Sequence, residues 1–262
     1  MKSFWQLLIQ TLVLIGTLYI NYQASSGGNS IGEVSRQYDT LLTPAGYAFS
    51  IWGLIYLFQL AFVGFQWYRW RQNPEAEELR QTGYWYALTN LANACWVLSW
   101  VNEHLLLSVL CMFTLLFALT QLTLRLRLEV WDAPVRTIAF VWWPICIYLG
   151  WIVLATVANL SAALYGWGWE GTPLRASVWA ILIIGVATGI YLFLLRERNL
   201  REALAVGAWG FLAIAYKQWG EAGNVAVAAV AAALLLLAAA GYHAYQNRRT
   251  NPLEKARRGE WT

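Results

Sequence analysis

Residues 43–67 read Thr-Pro-Ala-Gly-Tyr-Ala-Phe-Ser-Ile-Trp-Gly-Leu-Ile-Tyr-Leu-Phe-Gln-Leu-Ala-Phe-Val-Gly-Phe-Gln-Trp. No charged residue interrupts the stretch. From Gly46 to Trp67 it is long enough, at 1.5 Å per residue, to cross the ~30 Å hydrocarbon core of a bilayer as one helix. Outward from it, seven further runs predict helices over Phe4–Asn21, Tyr84–Val101, His104–Leu124, Thr137–Leu164, Ser177–Leu195, Ala203–Tyr216 and Gly223–Tyr245. Composition agrees: the chain is 59% hydrophobic and 12% charged, with mean hydropathy +0.46, where a soluble chain carries about 25% charge. The expectation is an all-α integral membrane protein, a bundle of about eight transmembrane helices, with a polar tail over 247–262.

The seventh run is the weakest, because Glu202 and Lys217 leave only about 21 Å of helix between them and Arg201 and Lys217 must snorkel. The first run also fits a signal peptide, but Tyr22-Gln23-Ala24 makes a poor small-residue cleavage site, which favours a retained helix. Basic residues test the topology. One set of segments holds Lys2, Arg69, Arg71, Arg80, Arg125, Arg127, Arg136, Arg196, Arg198, Arg201, Arg248, Arg249, Lys255, Arg257 and Arg258; the other holds only Arg36, Arg175 and Lys217. The positive-inside rule then predicts both termini in the cytoplasm and a multi-pass protein of the cell (inner) membrane.

Absences narrow the chemistry. The basic residues form no patch interleaved with exposed aromatics, so a nucleic-acid partner is not expected. Cys95, Cys111 and Cys146 lie in apolar runs without CxxC spacing, which reads as buried thiols rather than a disulfide or zinc framework. His104 and His243 sit near helix ends as interfacial residues. No HExxH, carboxylate pair or phosphate loop occurs, and apart from the seventh helix the spans hold no Asp, Glu, Lys or Arg. No metal, catalytic residue or required cofactor is expected, and ion coupling is disfavoured. Any function falls to aromatic, amide and hydroxyl groups.

The 17 tryptophans divide by position. Trp5, Trp67, Trp70, Trp85, Trp131, Trp167, Trp169, Trp179 and Trp219 flank helices, as aromatic belts do. Others fall into helical stripes with amides and hydroxyls: Trp52, Tyr56 and Gln59; Thr89, Asn93, Trp96 and Trp100; Tyr148, Trp151, Ala155 and Asn159. These spacings put each set on one helix face, and an amide facing lipid would be unsatisfied, so the faces turn inward. Trp52 lies about 9 Å and Trp96 about 8 Å from the outer ends of their helices, so the stripes converge in the outer half of the bilayer. A ligand cavity and plain helix packing with amides as interhelical glue both account for the pattern.

The same residues resemble the tryptophan-rich sensory protein family (TspO/MBR, the translocator protein family). Residues 43–57 are similar to its loop-to-second-helix signature P-P-G-[WY]-x-F-G-x-x-W-x-x-x-Y. Leu91 to Trp96 resembles L-x-x-N-x-x-W of its third helix, and Tyr148 to Asn159 resembles Y-x-x-W-x-x-x-A-T-x-x-N of its fifth. The resemblance covers about residues 4–164, so it implies a five-helix core over 1–164 with three additional helices over 165–246. It implies a pocket for porphyrins, sterol-like and other hydrophobic molecules under the loop joining the first two helices, at Trp52, Asn93, Trp96, Trp151 and Ala155 with Tyr56 and Asn159 nearby; Trp100 and Tyr148 complete the candidate ligand-binding set. Three features depart from the family: the second-helix signature is one residue shorter between Tyr47 and Trp52, Ser99-Trp100 replaces an aromatic pair, and the proline near the fifth-helix Trp sits upstream at Pro144.

Three functions follow from the resemblance and the stripes. First is a membrane receptor or sensor for a planar hydrophobic ligand, with a bound porphyrin or haem-like molecule as occupant. The alternatives are a carrier for a hydrophobic metabolite and a membrane enzyme degrading a bound porphyrin. The partners expected are the hydrophobic ligand, the lipid bilayer and a second copy in a homodimer.

Overall fold

The computed structural model describes residues 2–26, 30–169, 171, 173–250 and 252–261. The described residues form helices α1 (Lys2–Ser26), α2 (Ile31–Gln37), α3 (Ile51–Gln72), α4 (Glu77–Thr82), α5 (Trp85–Val101), α6 (Leu105–Arg125), α7 (Val135–Thr137), α8 (Trp143–Gly166), α9 (Ala176–Arg198), α10 (Arg201–Gln218), α11 (Gly223–Gln246) and α12 (Pro252–Arg257). All eight expected runs are present as long helices, and most extend a residue or more past the expected ends. Among the described residues six segments are apolar and long enough to cross a membrane: Ser3–Ser25, Gly46–Gln72, Leu105–Arg125, Val135–Gly166, Ala176–Arg198 and Gly223–Gln246. The other two long helices, α5 with 17 residues and α10 with 18, are shorter and largely enclosed by their neighbours. The chain is thus a multi-pass helical membrane bundle.

Five helices close a ring in the order α1, α5, α6, α8, α3. Polar side chains along one face of α1 fasten it. Gln6 donates to the Leu79 carbonyl, Gln10 to Gly83, Thr17 to Asn90 and Asn21 to the Asn93 side chain, at 2.6–3.0 Å. Each bond joins residues 72 or 73 apart, so one helix face reads down α4 and α5 in register. In lipid the alternative is an unsatisfied polar group, which fixes this face inward.

Helix α8 is the wall shared with the C-terminal helices. α10 packs along its outer side, and α9 and α11 flank α10. The approach is close: a Cβ built on Gly150 would lie 2.7 Å from the Ala203 Cα and 2.9 Å from its carbonyl oxygen. Tyr191 of α9 donates its hydroxyl to the Gly150 carbonyl at 2.6 Å, and Gly207 packs directly against the Tyr191 ring. Small residues here let backbones meet, as lipid-embedded helices require. Gly185 and Gly189 by contrast face open space.

Before α8 the chain makes a π-helical turn over Ile138–Trp142. Pro144 follows in the first turn of α8, where its missing N–H costs no helix bond.

The end of the bundle that gathers most basic residues, here the basic end, closes around a polar cavity of about 240 Å³. Asn199, in the left-handed region at φ 56°, donates to the Glu129 carbonyl and meets His243 Nε2 at 2.9 Å. Lys255 of α12 pairs with Asp132 and donates to the Ala133 carbonyl. The Trp143 indole donates to Glu202. Burial raises the Glu129 carboxyl to about 8, with the Glu202 charge adding to it.

Candidate functional site

The opposite end, here the loop end, carries residues 30–50 between α1 and α3. The α2 segment is set by a capping box: Glu33 N–H donates to the Ser30 hydroxyl, and Ser30 N–H donates to the Glu33 carboxylate. Those bonds hold the Glu33 carboxyl below its ordinary value. Gly46–Ser50 then forms a 3-10 turn leading into α3. Its tighter winding occupies the interval where the sequence is one residue shorter than the family signature.

Beneath this loop the three stripes meet. Trp52 of α3 stacks on Tyr56 at 5.5 Å and 23° and on Trp96 of α5 at 5.9 Å and 25°. Trp96 continues the stack to Trp100 at 6.4 Å and 16°. From α8, Tyr148 and Trp151 present their rings at 75° and 82° to Trp52. Offset stacks and edge contacts are the favourable aromatic geometries, each contributing about 0.5–1.5 kcal/mol beyond burial.

Asn93 sits behind the stack, accepting from Asn21 at 3.0 Å and from the Tyr56 hydroxyl at 3.4 Å. Asn159 pairs with Ser108 of α6. Five buried donors here have no hydrogen-bond partner among the described residues: the indoles of Trp52, Trp96 and Trp151, the Tyr148 hydroxyl and the Asn93 amide. A buried unpaired donor is costly, so its concentration at one place marks this aromatic cluster.

The stripes pack mainly on each other. Trp52, Trp96, Trp100, Trp151, Ala155 and Asn159 border a cavity of only about 40 Å³, scarcely more than one water's share of volume. The larger space lies on the α1 side of α3, about 790 Å³ between α1, the loop and α3. Trp52 and Tyr56 line it from below, with Phe49 and Asn21, while Arg36 and Lys217 border it. Phe49 also sets its edge on Trp151 and so connects the large cavity to the stack. Of the sequence-predicted set, Asn93 and Tyr148 border neither space.

The loop covering these cavities is tied from two sides. Gln37 and Tyr38 both donate to Glu103 at 2.8 Å, and this bond to a carboxylate raises the Tyr38 phenol. Asp39 pairs with Lys217 of α10 at 2.5 Å. Ala45 N–H donates to the Ala213 carbonyl, and the Trp209 indole donates to Ala48. Tyr47 lies edge-on to Trp209 and Tyr216. The C-terminal helices therefore hold the loop as well as packing on α8. Sequence reasoning missed Asn21, Arg36, Phe49 and Lys217; the signals for two of them were present, in the polar stripe of α1 and in the Ser30–Glu33 capping pattern that builds α2.

Among the described residues no group of His, Cys, Asp or Glu is arranged to hold a metal ion. No curated protein and no solved structure matches the chain. The family described as TSPO-like protein matches residues 6–242, which takes in α9, α10 and most of α11 together with the five-helix ring. A match that runs from the first helix almost to the end of the last shows that this chain belongs to the TSPO-like protein family.

Proposed function

We propose that the protein is a membrane receptor binding a planar hydrophobic ligand, a tetrapyrrole or sterol-like molecule, in the cavity of about 790 Å³ under the loop. That volume carries the reading: it falls within the range of ~300–1,000 Å³ usual for small-molecule sites, and its wall is the aromatic pair Trp52 and Tyr56. The polar components suit an acid-bearing ring system. Arg36 makes no hydrogen bond or ion pair among the described residues, its charge acting only on nearby Glu33, and it stands at the rim beside the Lys217–Asp39 pair. The basic-residue asymmetry supports a topology with the termini in the cytoplasm and the cavity in the outer half of the bilayer.

Titration of the purified protein with protoporphyrin, followed by tryptophan fluorescence, tests this. Saturable quenching is expected, weakened about tenfold in Trp52→Ala, which corresponds to ~1.4 kcal/mol. Arg36→Gln should weaken binding of the free diacid and leave the dimethyl ester unaffected. Quenching that does not saturate, or that is the same in Trp52→Ala and Tyr56→Ala, would refute the reading.

A further inference from the structure

A second loop-end cavity, of about 670 Å³, opens on the other side of the Asp39–Lys217 pair, between α8, α9 and α10. Three aromatic side chains line it: Tyr165, Trp169 and Trp179. Trp169 and Trp179 meet at 5.4 Å and 61°, and the Trp179 indole is fixed by donating to the Gly171 carbonyl at 2.6 Å. The charge here is opposite to that of the first cavity. Asp39 and Glu221 both line it, while Lys217, its one cation among the described residues, is already engaged by Asp39. Among the described residues Glu221 has no ion pair, and Arg175 does not line the cavity. Gln218, 4% exposed, also lines the cavity, and its side-chain amide has no hydrogen-bond partner among the described residues.

Aromatic faces and a carboxylate without an ion-pair partner around one cavity are the chemistry of organic-cation recognition, in which ring quadrupoles and full charges act together. We propose that this cavity is a binding site for a lipophilic organic cation, an ammonium or phosphonium with an apolar body. The body lies against Tyr165, Trp169 and Trp179, the charge faces Glu221, and Gln218 supplies a polar contact at the cavity wall. The site is separate from the one proposed under the loop and does not depend on it.

Tetraphenylphosphonium and tetraphenylborate, matched in size and opposite in charge, are the probes. Each is titrated against the full chain in nanodiscs, with partition into empty nanodiscs subtracted. The phosphonium should bind saturably and the borate should not. Glu221→Gln and Trp179→Leu should each weaken the phosphonium about tenfold, and Trp52→Ala should leave it unchanged. Because Trp179 also holds Gly171, the exposed Tyr165→Leu provides a second aromatic variant, with severalfold weakening expected. Equal binding of the borate, or phosphonium affinity indifferent to Glu221→Gln and Tyr165→Leu, overturns the proposal. So does displacement of the phosphonium by phosphocholine alone, which would reduce the site to a lipid-headgroup contact.

Discussion

Helix α8 has two working faces, and they are built from opposite materials. Toward α3, α5 and α6 it presents Tyr148, Trp151 and Asn159, large groups that meet other rings and amides and leave buried donors without protein partners. Toward α9 and α10 it presents Gly150 and Leu154, against which Ala203, Gly210 and the Tyr191 hydroxyl pack at backbone range. Rings fill volume with few points of contact, and small gaps persist between them. Backbones in contact leave no gap and fix the spacing of whole helices. The first face is a packed aromatic wall behind Trp52; the second sets the position of α10, and through it the loop held by Lys217, Ala213 and Trp209.

The aromatic face should respond to loss of volume and be indifferent to loss of its indole N–H. Trp151 is 2% exposed, so Trp151→Ala removes a fully packed ring. The range for such truncations in soluble cores is about 3–5 kcal/mol, reduced here because lipid is as apolar as the site and only packing is lost. Trp151→Phe removes an N–H that bonds nothing among the described residues and should cost far less. Trp100→Phe is the contrasting case, because the Trp100 indole donates to the Ile31 carbonyl at 3.2 Å and its loss frees α2. Thermal unfolding in detergent should rank Trp151→Ala worst, then Trp100→Phe, then Trp151→Phe. Equal costs for the two phenylalanine variants would show that the Trp151 N–H is in fact bonded.

The backbone face should reject a single methyl group. In Gly150→Ala the new Cβ falls within 3 Å of Ala203 main-chain atoms, which cannot rotate away as a side chain would. Overpacking of this kind costs about 1–3 kcal/mol. The expected result is a lowered melting temperature together with protease sensitivity in the loop at 38–48, because α10 is displaced with its contacts. A stable Gly150→Ala protein with an intact loop would mean that α8 and α10 are less tightly joined than the geometry indicates.

These two faces were not equally legible in the sequence. Rings and amides at spacings of three and four declare which way they face, because an amide cannot point into lipid. Trp52, Asn93, Trp96, Trp151 and Asn159 could therefore be brought together from sequence alone. Glycine and alanine carry no such direction: Gly150, Gly185, Gly189, Gly207 and Gly210 look alike in a row of letters, and only tertiary packing separates them. The Asp39–Lys217 pair spans 178 residues, beyond the reach of any local pattern. The course of the main cavity was not legible for a related reason. Its location depends on how residues 30–50 cross the bundle end, and stripe geometry says nothing about that path.

Below the backbone face lies the ionisable cluster of Glu129, Glu202, Arg201 and His243, and it should make this half of the molecule pH-sensitive where the aromatic half is not. With the Glu129 carboxyl raised to about 8, the folded state holds a proton that the unfolded chain has released above about 4.5. Stability is then full below the unfolded value and declines as pH rises through about 8. Melting temperature measured from pH 6.5 to pH 9, above the range in which His243 titrates, should fall in the native chain, and Glu129→Gln should flatten the profile. An unchanged slope in Glu129→Gln would assign the pH response to other groups.

The smallest effect belongs to the glycines that no neighbour touches. Gly185 and Gly189 lie on α9 with open space where a Cβ would stand. Alanine at either position adds a methyl group toward lipid and removes the conformational entropy of a helical glycine, a gain of up to about 1 kcal/mol per site. Melting temperature should hold or rise slightly in Gly185→Ala and Gly189→Ala. Gly207→Ala in the neighbouring helix α10, where a Cβ would stand 2.6–2.8 Å from the Tyr191 ring, should lower it. A destabilised Gly185→Ala would reveal a partner on the lipid-facing side of α9, and a second copy of the chain is the first to test, by crosslinking through cysteines placed at 185 and 189. The sign of a one-methyl change thus separates a helix face that packs within the chain from one that meets lipid or another protein.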